Sequence, residues 1–223
     1  MFFHPSMLVL IPGMILMFWA QSRVQGTYQK YSQVRSTLGM TGAQVAETIL
    51  HKMGVNHVNV EPVAGQLTDH YDPSAKVVRL SEGVYYSDSL AAAAVAAHEC
   101  GHVLQDVKGY MPMNLRAAVV PAANIGSNLG PFLVLAGIFT NFTGLINLGI
   151  LLFAAVIAFH VVTLPVEFDA SNRALAIVDN LGILRGEERT AARRVLNAAA
   201  WTYVATALYA VLNLVQLLLM RRD

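Results

Sequence analysis

Two histidines and a glutamate in the run His98-Glu99-Cys100-Gly101-His102 have the residue types and the spacing of a hydrolytic metal site. Residues i and i+4 of a helix project from one face about 5–6 Å apart, so both imidazoles can reach one tetrahedral zinc ion. Glu99 is turned about 100° from His98 around the helix axis, which places its carboxylate beside the metal. The motif predicts Zn²⁺ held by His98 and His102, with Glu99 as the general base that accepts a proton from water.

The motif lies in an Ala-rich segment that is predicted to be one helix over about residues 88–107, with Ser87 or Asp88 as the N-cap. The alternative is a packing helix that carries two surface histidines by coincidence. Cys100 points away from the face shared by the histidines, so we expect a buried bystander rather than a ligand.

A catalytic zinc site takes three protein ligands and leaves one position for water. A segment at Pro165 follows a long apolar run, and proline suits the first turn of a new helix. Glu167 in this segment is the predicted third ligand. His160 and Asp169 are alternatives; a histidine inside an apolar run more often makes a polar contact within a helix bundle, and Asp169 would face away if Glu167 faces the metal.

The composition places the chain in a membrane: 55% of its 223 residues are hydrophobic and 13% are charged, whereas an average soluble domain has about 25% charged residues. A cleaved signal peptide is the alternative for the first apolar run, but no Lys or Arg precedes that run. A net charge of +1 argues against a nucleic-acid partner, and a single cysteine excludes an internal disulfide. Four runs are long enough to span a bilayer, at residues 2–20, 117–139, 143–164 and 198–220.

Two polar stretches remain, a catalytic region at residues 21–116 and a helical segment at residues 165–197. Four crossings put both stretches on the same side of the membrane, so Glu167 can meet the two histidines. All of the fifteen Lys and Arg except Arg221 and Arg222 lie in these stretches. The positive-inside rule therefore predicts that the catalytic side is cytoplasmic.

The first polar stretch contains the signals of a small sheet. Thr41 is placed to cap an amphipathic helix, and residues 58–63 and 76–80 are β-branched segments. Asp72-Pro73-Ser74 is the predicted turn of a hairpin. His70 and Tyr71 before this turn are candidate contacts to substrate or to a developing oxyanion. The alternative is a polar network that holds the hairpin together.

The sequence resembles a known family, the neutral zinc metallopeptidases of bacterial membranes, also called YugP-like. More distantly it is similar to membrane HExxH zincins such as the heat-shock membrane protease. The resemblance implies zinc ligation by His98, His102 and Glu167, with Glu99 as the base. The resemblance covers nearly the whole chain and rests on five segments, at residues 61–63, 67–73, 76–81, 96–102 and 165–171.

The sequence departs from a common pattern at Ser171. In many HExxH enzymes whose third ligand is a distant Glu, an Asp four residues after that Glu binds a ligand histidine and raises its basicity. Here that position is Ser171. Either Ser171 or Asp169 is expected to support the ligands.

Together these features predict a mostly α, integral membrane protein with four transmembrane helices and a small zincin-like catalytic domain that contains the HExxH helix and a short β-hairpin. The expected activity is a zinc endopeptidase of a bacterial plasma membrane, with the lipid bilayer and a polypeptide substrate as partners. Nothing in the sequence indicates an oligomeric state. The alternatives are a membrane protein that binds or transports zinc without hydrolysis and a membrane scaffold. Glu99 favours the enzyme, because a transport site has no need of a carboxylate that is not a ligand.

Overall fold

The computed structural model describes residues 5–220 as seven α-helices, a short 3₁₀ turn and one three-stranded sheet. The 3₁₀ turn, Pro5–Leu10, leads directly into the first helix. The helices are α1 (Ile11–Ser32), α2 (Gly42–Lys52), α3 (Glu82–Tyr85), α4 (Leu90–Val107), α5 (Met111–Thr140), α6 (Thr143–Asn180) and α7 (Glu187–Met220). The strands are β1 (Asn59–Val63), β2 (His70–Asp72) and β3 (Val77–Ser81).

Four helices are long and apolar enough to cross a membrane, which confirms the predicted fold class. They are Pro5–Ser32, Met111–Thr140, Thr143–Asn180 and Glu187–Met220. The start of the predicted first span and the terminal Arg221 and Arg222 lie outside the described residues.

The chain divides into two compact units. The apolar unit comprises the described parts of Met1–Gln21, Met111–Pro165 and Trp201–Asp223, and the polar unit comprises Ser22–Tyr110 and Val166–Ala200. Each unit joins segments that are distant in sequence. The polar unit therefore combines most of the first polar stretch with most of the second.

In the apolar unit, glycines let α5 and α6 approach each other closely. A Cβ atom at Gly126 would overlap the carbonyl oxygen of Leu152, and a Cβ at Gly149 would lie 2.7 Å from the carbonyl oxygen of Gly130. Small residues at such contacts are the usual means by which membrane helices pack.

Pro165 does not begin a new helix, which corrects the predicted helix start at that residue. Helix α6 continues through Pro165 to Asn180. Proline adopts a helical φ and removes one backbone donor, so a long helix supported by its neighbours can contain it. Helix α7 begins at Glu187 and includes both the end of the predicted helical segment at residues 165–197 and the predicted span at residues 198–220.

The sheet of the polar unit has the strand order β1-β3-β2. Strand β2 is antiparallel to β3, with Tyr71 opposite Val78, and this pairing forms the predicted hairpin. Strand β1 is parallel to β3. Ile49 of α2 and Leu80 of β3 are fully buried in the core of this unit.

Side chains cap the N-termini of α2 and α4, as the sequence predicted, but the capping residue of α4 differs from the prediction. Thr41 Oγ1 accepts a hydrogen bond from the Gln44 amide and the Gln44 side chain accepts one from the Thr41 amide, a complete capping box. The N-cap of α4 is Ser89 rather than Ser87 or Asp88, since Ser89 Oγ accepts from the Ala92 amide at 3.2 Å. Ser87 Oγ in turn donates to Ser89 Oγ.

Candidate active site

Three side chains from α4 and α6 converge in the polar unit. Glu167 Oε2 lies 3.3 Å from His98 Nε2 and 3.7 Å from His102 Nε2, and one ligand atom from each residue lies within 4.8 Å of the others. Glu167 and His102 are buried. Zinc bonds of about 2.0–2.1 Å in tetrahedral geometry separate neighbouring ligand atoms by about 3.3 Å, so two nitrogens and one carboxylate oxygen in this arrangement suit the ion.

The close approach of α6 to α4 depends on Gly101, which lies between the two histidines. A Cβ atom at Gly101 would overlap the carbonyl oxygen of Ala170 on α6. Glycine is therefore required here by space rather than by backbone angles. The contact brings the first turn after Pro165, and with it Glu167, against the histidine face of α4.

Glu99 is buried beside this cluster and is not one of its members. Burial raises the pKa of the Glu99 carboxyl; the two histidines oppose the shift, and the charges of Glu167 and Asp69 add to it. A carboxylate whose pKa is moved toward neutrality both accepts and returns a proton efficiently. This is the behaviour required of a general base.

Gln105, which the sequence analysis did not single out, holds His102. Its Oε1 lies 3.0 Å from His102 Nδ1, while its Nε2 donates to the Val166 carbonyl at 2.7 Å and to Asp169 Oδ2 at 2.9 Å. The Val166 carbonyl can only accept a hydrogen bond, so the group of Gln105 that faces it must be the NH₂ group. The side-chain oxygen of Gln105 therefore faces the imidazole of His102. His102 then carries its proton on Nδ1 and presents the Nε2 lone pair to the cluster.

Asp169 and Ser171 contact different parts of the site, and neither belongs to the ligand cluster. Asp169 accepts hydrogen bonds from Gln105 Nε2 and from Arg173 Nε. It therefore influences His102 indirectly, through the side-chain amide of Gln105. Ser171 Oγ lies 3.2 Å from His98 Nδ1. The two residues considered as alternatives from the sequence thus support one histidine each. His160 is also outside the cluster.

Tyr71 and His70 make contacts of the polar network that the sequence offered as the alternative to a substrate site. Tyr71 is buried and its hydroxyl donates to Asp106 Oδ2 at 2.6 Å, where Lys76 Nζ binds as well. Burial and this hydrogen bond raise the pKa of the Tyr71 phenol. His70 is exposed, with Nδ1 2.7 Å from the Thr68 carbonyl oxygen. The Tyr71 and Lys76 contacts with Asp106 attach the hairpin to the last turn of α4.

Cys100 is fully buried, with its Sγ 3.7 Å from the Ala46 carbonyl oxygen. Burial raises the pKa of its thiol, so it remains a neutral thiol near pH 7. It does not belong to the ligand cluster.

Comparison with known proteins identifies the family of this chain. Residues 6–222 match the family described as "Putative neutral zinc metallopeptidase". The chain is also 47% identical over 206 residues to the "Putative membrane protease YugP" of Bacillus subtilis (strain 168), an alignment that covers 92% of each protein. No solved structure matches the chain significantly. The resemblance found in the sequence is confirmed, and this chain belongs to the neutral zinc metallopeptidase family.

Proposed function

We propose that the protein is a zinc endopeptidase that cleaves polypeptides within or next to the membrane that it spans. The observation that carries the proposal is the convergence of His98, His102 and Glu167 from two helices, with the buried carboxylate of Glu99 beside them. Membership in a zinc metallopeptidase family supports the same activity.

The donor set fits zinc in chemistry as well as in spacing. Imidazole nitrogen and carboxylate oxygen are common zinc ligands, and two histidines with one glutamate leave a position for water. A bound zinc ion would polarise the substrate carbonyl and make water acidic enough to attack near neutral pH. Its bonds to the protein would be made by Nε2 of both histidines and by the Glu167 carboxylate.

In the proposed reaction, Glu99 transfers the proton of the attacking water. Glu99 accepts a proton as the water oxygen forms its bond to the peptide carbon, and it returns that proton to the amine nitrogen as the carbon–nitrogen bond breaks. Gln105 and Ser171 keep the imidazoles oriented throughout, because each contacts a ring nitrogen that faces away from Glu167. The products are one new carboxyl terminus and one new amino terminus.

A membrane protein that only binds or transports zinc is the alternative. It would use the same three ligands but would gain nothing from Glu99, whose burial is costly unless the carboxylate has a task. The buried position of Glu99 therefore favours hydrolysis.

We also propose a bacterial plasma membrane as the location, with the polar unit in the cytoplasm. The name of the Bacillus subtilis relative supports a membrane. The positive charges that flank the membrane-spanning helices support the orientation.

The decisive experiment compares wild type with Glu99→Gln in zinc content and in hydrolysis of denatured β-casein. The amide cannot accept the proton, so we expect zinc to be retained and turnover to fall by about 10²-fold or more. Glu47→Gln is the matched control, because Glu47 is exposed on α2 and the same chemical change there should have no effect. Equal turnover in wild type and Glu99→Gln would refute the enzymatic proposal.

A further inference from the structure

A second polar feature of the polar unit is a cavity of about 560 Å³, here called the α1 cavity. Helix α1 contributes Gln25, Tyr28 and Gln29 to its wall, and Gln66, Ser81 and Ser87 line it from the opposite side. None of the residues that line it is charged. Its volume lies within the range of about 300–1,000 Å³ that is typical of ligand sites.

The local structure keeps the cavity open. The α1 residues recur at helical spacing, so their amides and the phenol project from one face. The opposite wall includes Gly65 at a φ of 106° and Leu67 at a φ of 56°, angles that belong to a tight turn. At Gly83 a Cβ atom would lie 3.6 Å from the Tyr28 hydroxyl, so the absence of a side chain there leaves space beside the phenol.

The α1 cavity is joined to the helix that carries the catalytic residues. Ser81, on the cavity wall, donates from its backbone N–H to Asp69 Oδ1 at 2.8 Å. Ser87 binds Ser89, the N-cap of α4. From Ser89 the helix rises at 1.5 Å per residue, so His98 lies about 13–14 Å further along its axis. An extended polypeptide covers that distance in about four residues.

We propose that the α1 cavity is a substrate subsite that holds an uncharged, polar segment of polypeptide about four residues from the bond that is cleaved. The inference rests on the proposed peptidase function. Side-chain amides and hydroxyls both donate and accept hydrogen bonds, as the peptide backbone does. The residues that line the cavity offer a charged substrate side chain no counter-ion, and the nearby Asp69 carboxylate already accepts hydrogen bonds from the Ser81 amide and hydroxyl. Segments with charged side chains are therefore disfavoured.

A second cavity, of about 460 Å³, provides an internal control. It is lined by Glu47, His51 and Glu61 among others, on α2 and β1. It is similar in size but carries ionisable groups. A polypeptide that simply adheres to any depression of the surface would label both cavities.

The first test measures binding without hydrolysis. A photoreactive benzoylphenylalanine is placed at Gln29 in the full-length, zinc-loaded Glu99→Gln protein, and the probe is fluorescein-labelled denatured β-casein. The same group at His51 is the control, since both side chains are exposed. We expect labelling at Gln29 to exceed labelling at His51 by at least fivefold. Equal labelling at the two positions, or none at Gln29, would overturn the inference.

The second test separates the subsite from the catalytic centre. Gln29→Asp adds a charge to the cavity, and His51→Asp adds one to the control cavity. Turnover is measured on denatured β-casein and on a fluorogenic tetrapeptide with two residues on each side of the cleaved bond, too short to reach the cavity. We expect Gln29→Asp to lower the casein-to-tetrapeptide ratio of kcat/KM at least fivefold and His51→Asp to leave that ratio unchanged.

The two proposals fail in different ways. If Gln29→Asp lowers the kcat/KM of both substrates equally, or of neither, the subsite is refuted while the peptidase stands. If wild type retains zinc but cleaves neither substrate, the peptidase is refuted, and the labelling experiment still decides whether the α1 cavity binds polypeptide.

Discussion

Gln105 Oε1 and His102 Nδ1 lie 3.0 Å apart, within a chain of contacts that runs from the imidazole through the amide to Asp169 and Arg173. The guanidinium of Arg173 also lies 5.4 Å from the centre of the Tyr110 ring. Gln105 itself is fully buried. The orientation of His102 is therefore fixed by residues of α4 and α6 together, whereas at His98 Nδ1 the side-chain partner within residues 5–220 is Ser171.

Replacing the Gln105 amide should weaken zinc binding without removing a ligand. In Gln105→Leu, His102 Nδ1 loses its acceptor, so the ring can rotate or exchange tautomers. We expect zinc affinity to fall about 10- to 100-fold, the usual effect of losing a residue that orients a ligand. Competition with a chromogenic chelator measures this affinity. Ser171→Ala provides the comparison at His98, and unchanged affinity in Gln105→Leu would contradict the positioning role.

Removing the Glu167 carboxylate should weaken zinc binding more than Gln105→Leu does, because a zinc ligand itself is lost. Glu167→Ala is expected to lower zinc content as well as activity, unlike Glu99→Gln, which should affect activity alone. Zinc per protein is measured by atomic emission after dialysis. His160→Ala is the control, since His160 lies outside the cluster. One tightly bound zinc in Glu167→Ala would show that the third ligand is a different residue.

The contact between Gly101 and Ala170 should be sensitive to a single methyl group. Gly101→Ala places a Cβ on the Ala170 carbonyl oxygen, so α4 and α6 must separate. We expect a loss of about 1–3 kcal/mol in stability together with weaker zinc binding. Gly26→Ala is the matched control on α1, where nothing lies within 4 Å of the added atom. Thermal unfolding of both variants in detergent measures the difference; equal melting temperatures would contradict the prediction.

The proposed cytoplasmic orientation of the polar unit can be tested by cysteine labelling. The native Cys100 is buried and its thiol pKa is raised, so background reaction should be low. Glu61→Cys and Arg185→Cys place thiols at exposed positions. In intact cells an impermeant maleimide should label neither, and after lysis it should label both. Labelling in intact cells would place the polar unit outside and reverse the orientation.

Features that depend on neighbours in sequence were predictable. The spacing of His98 and His102 is fixed by helical geometry alone, and the Thr41 capping box is complete within four residues. The hairpin at Tyr71 and the four apolar helices follow from local alternation and from length. The prediction of Glu167 as the third ligand depends on the number of membrane crossings. That number determines on which side of the membrane Glu167 lies, but not how far it lies from the two histidines.

The remaining features depend on contacts between distant segments. Proline suits a helix start better than a helix interior, where it removes a backbone hydrogen bond, so the local sequence did not reveal that α6 continues through Pro165. Gln105 lies three residues after His102 and so shares its helix face. Its other partners, Val166 and Asp169, which set the orientation of its amide, lie more than sixty residues away. The α1 cavity joins three separate segments of chain. Local sequence determines which residues share a helix face, but the packing of helices and loops determines which faces meet.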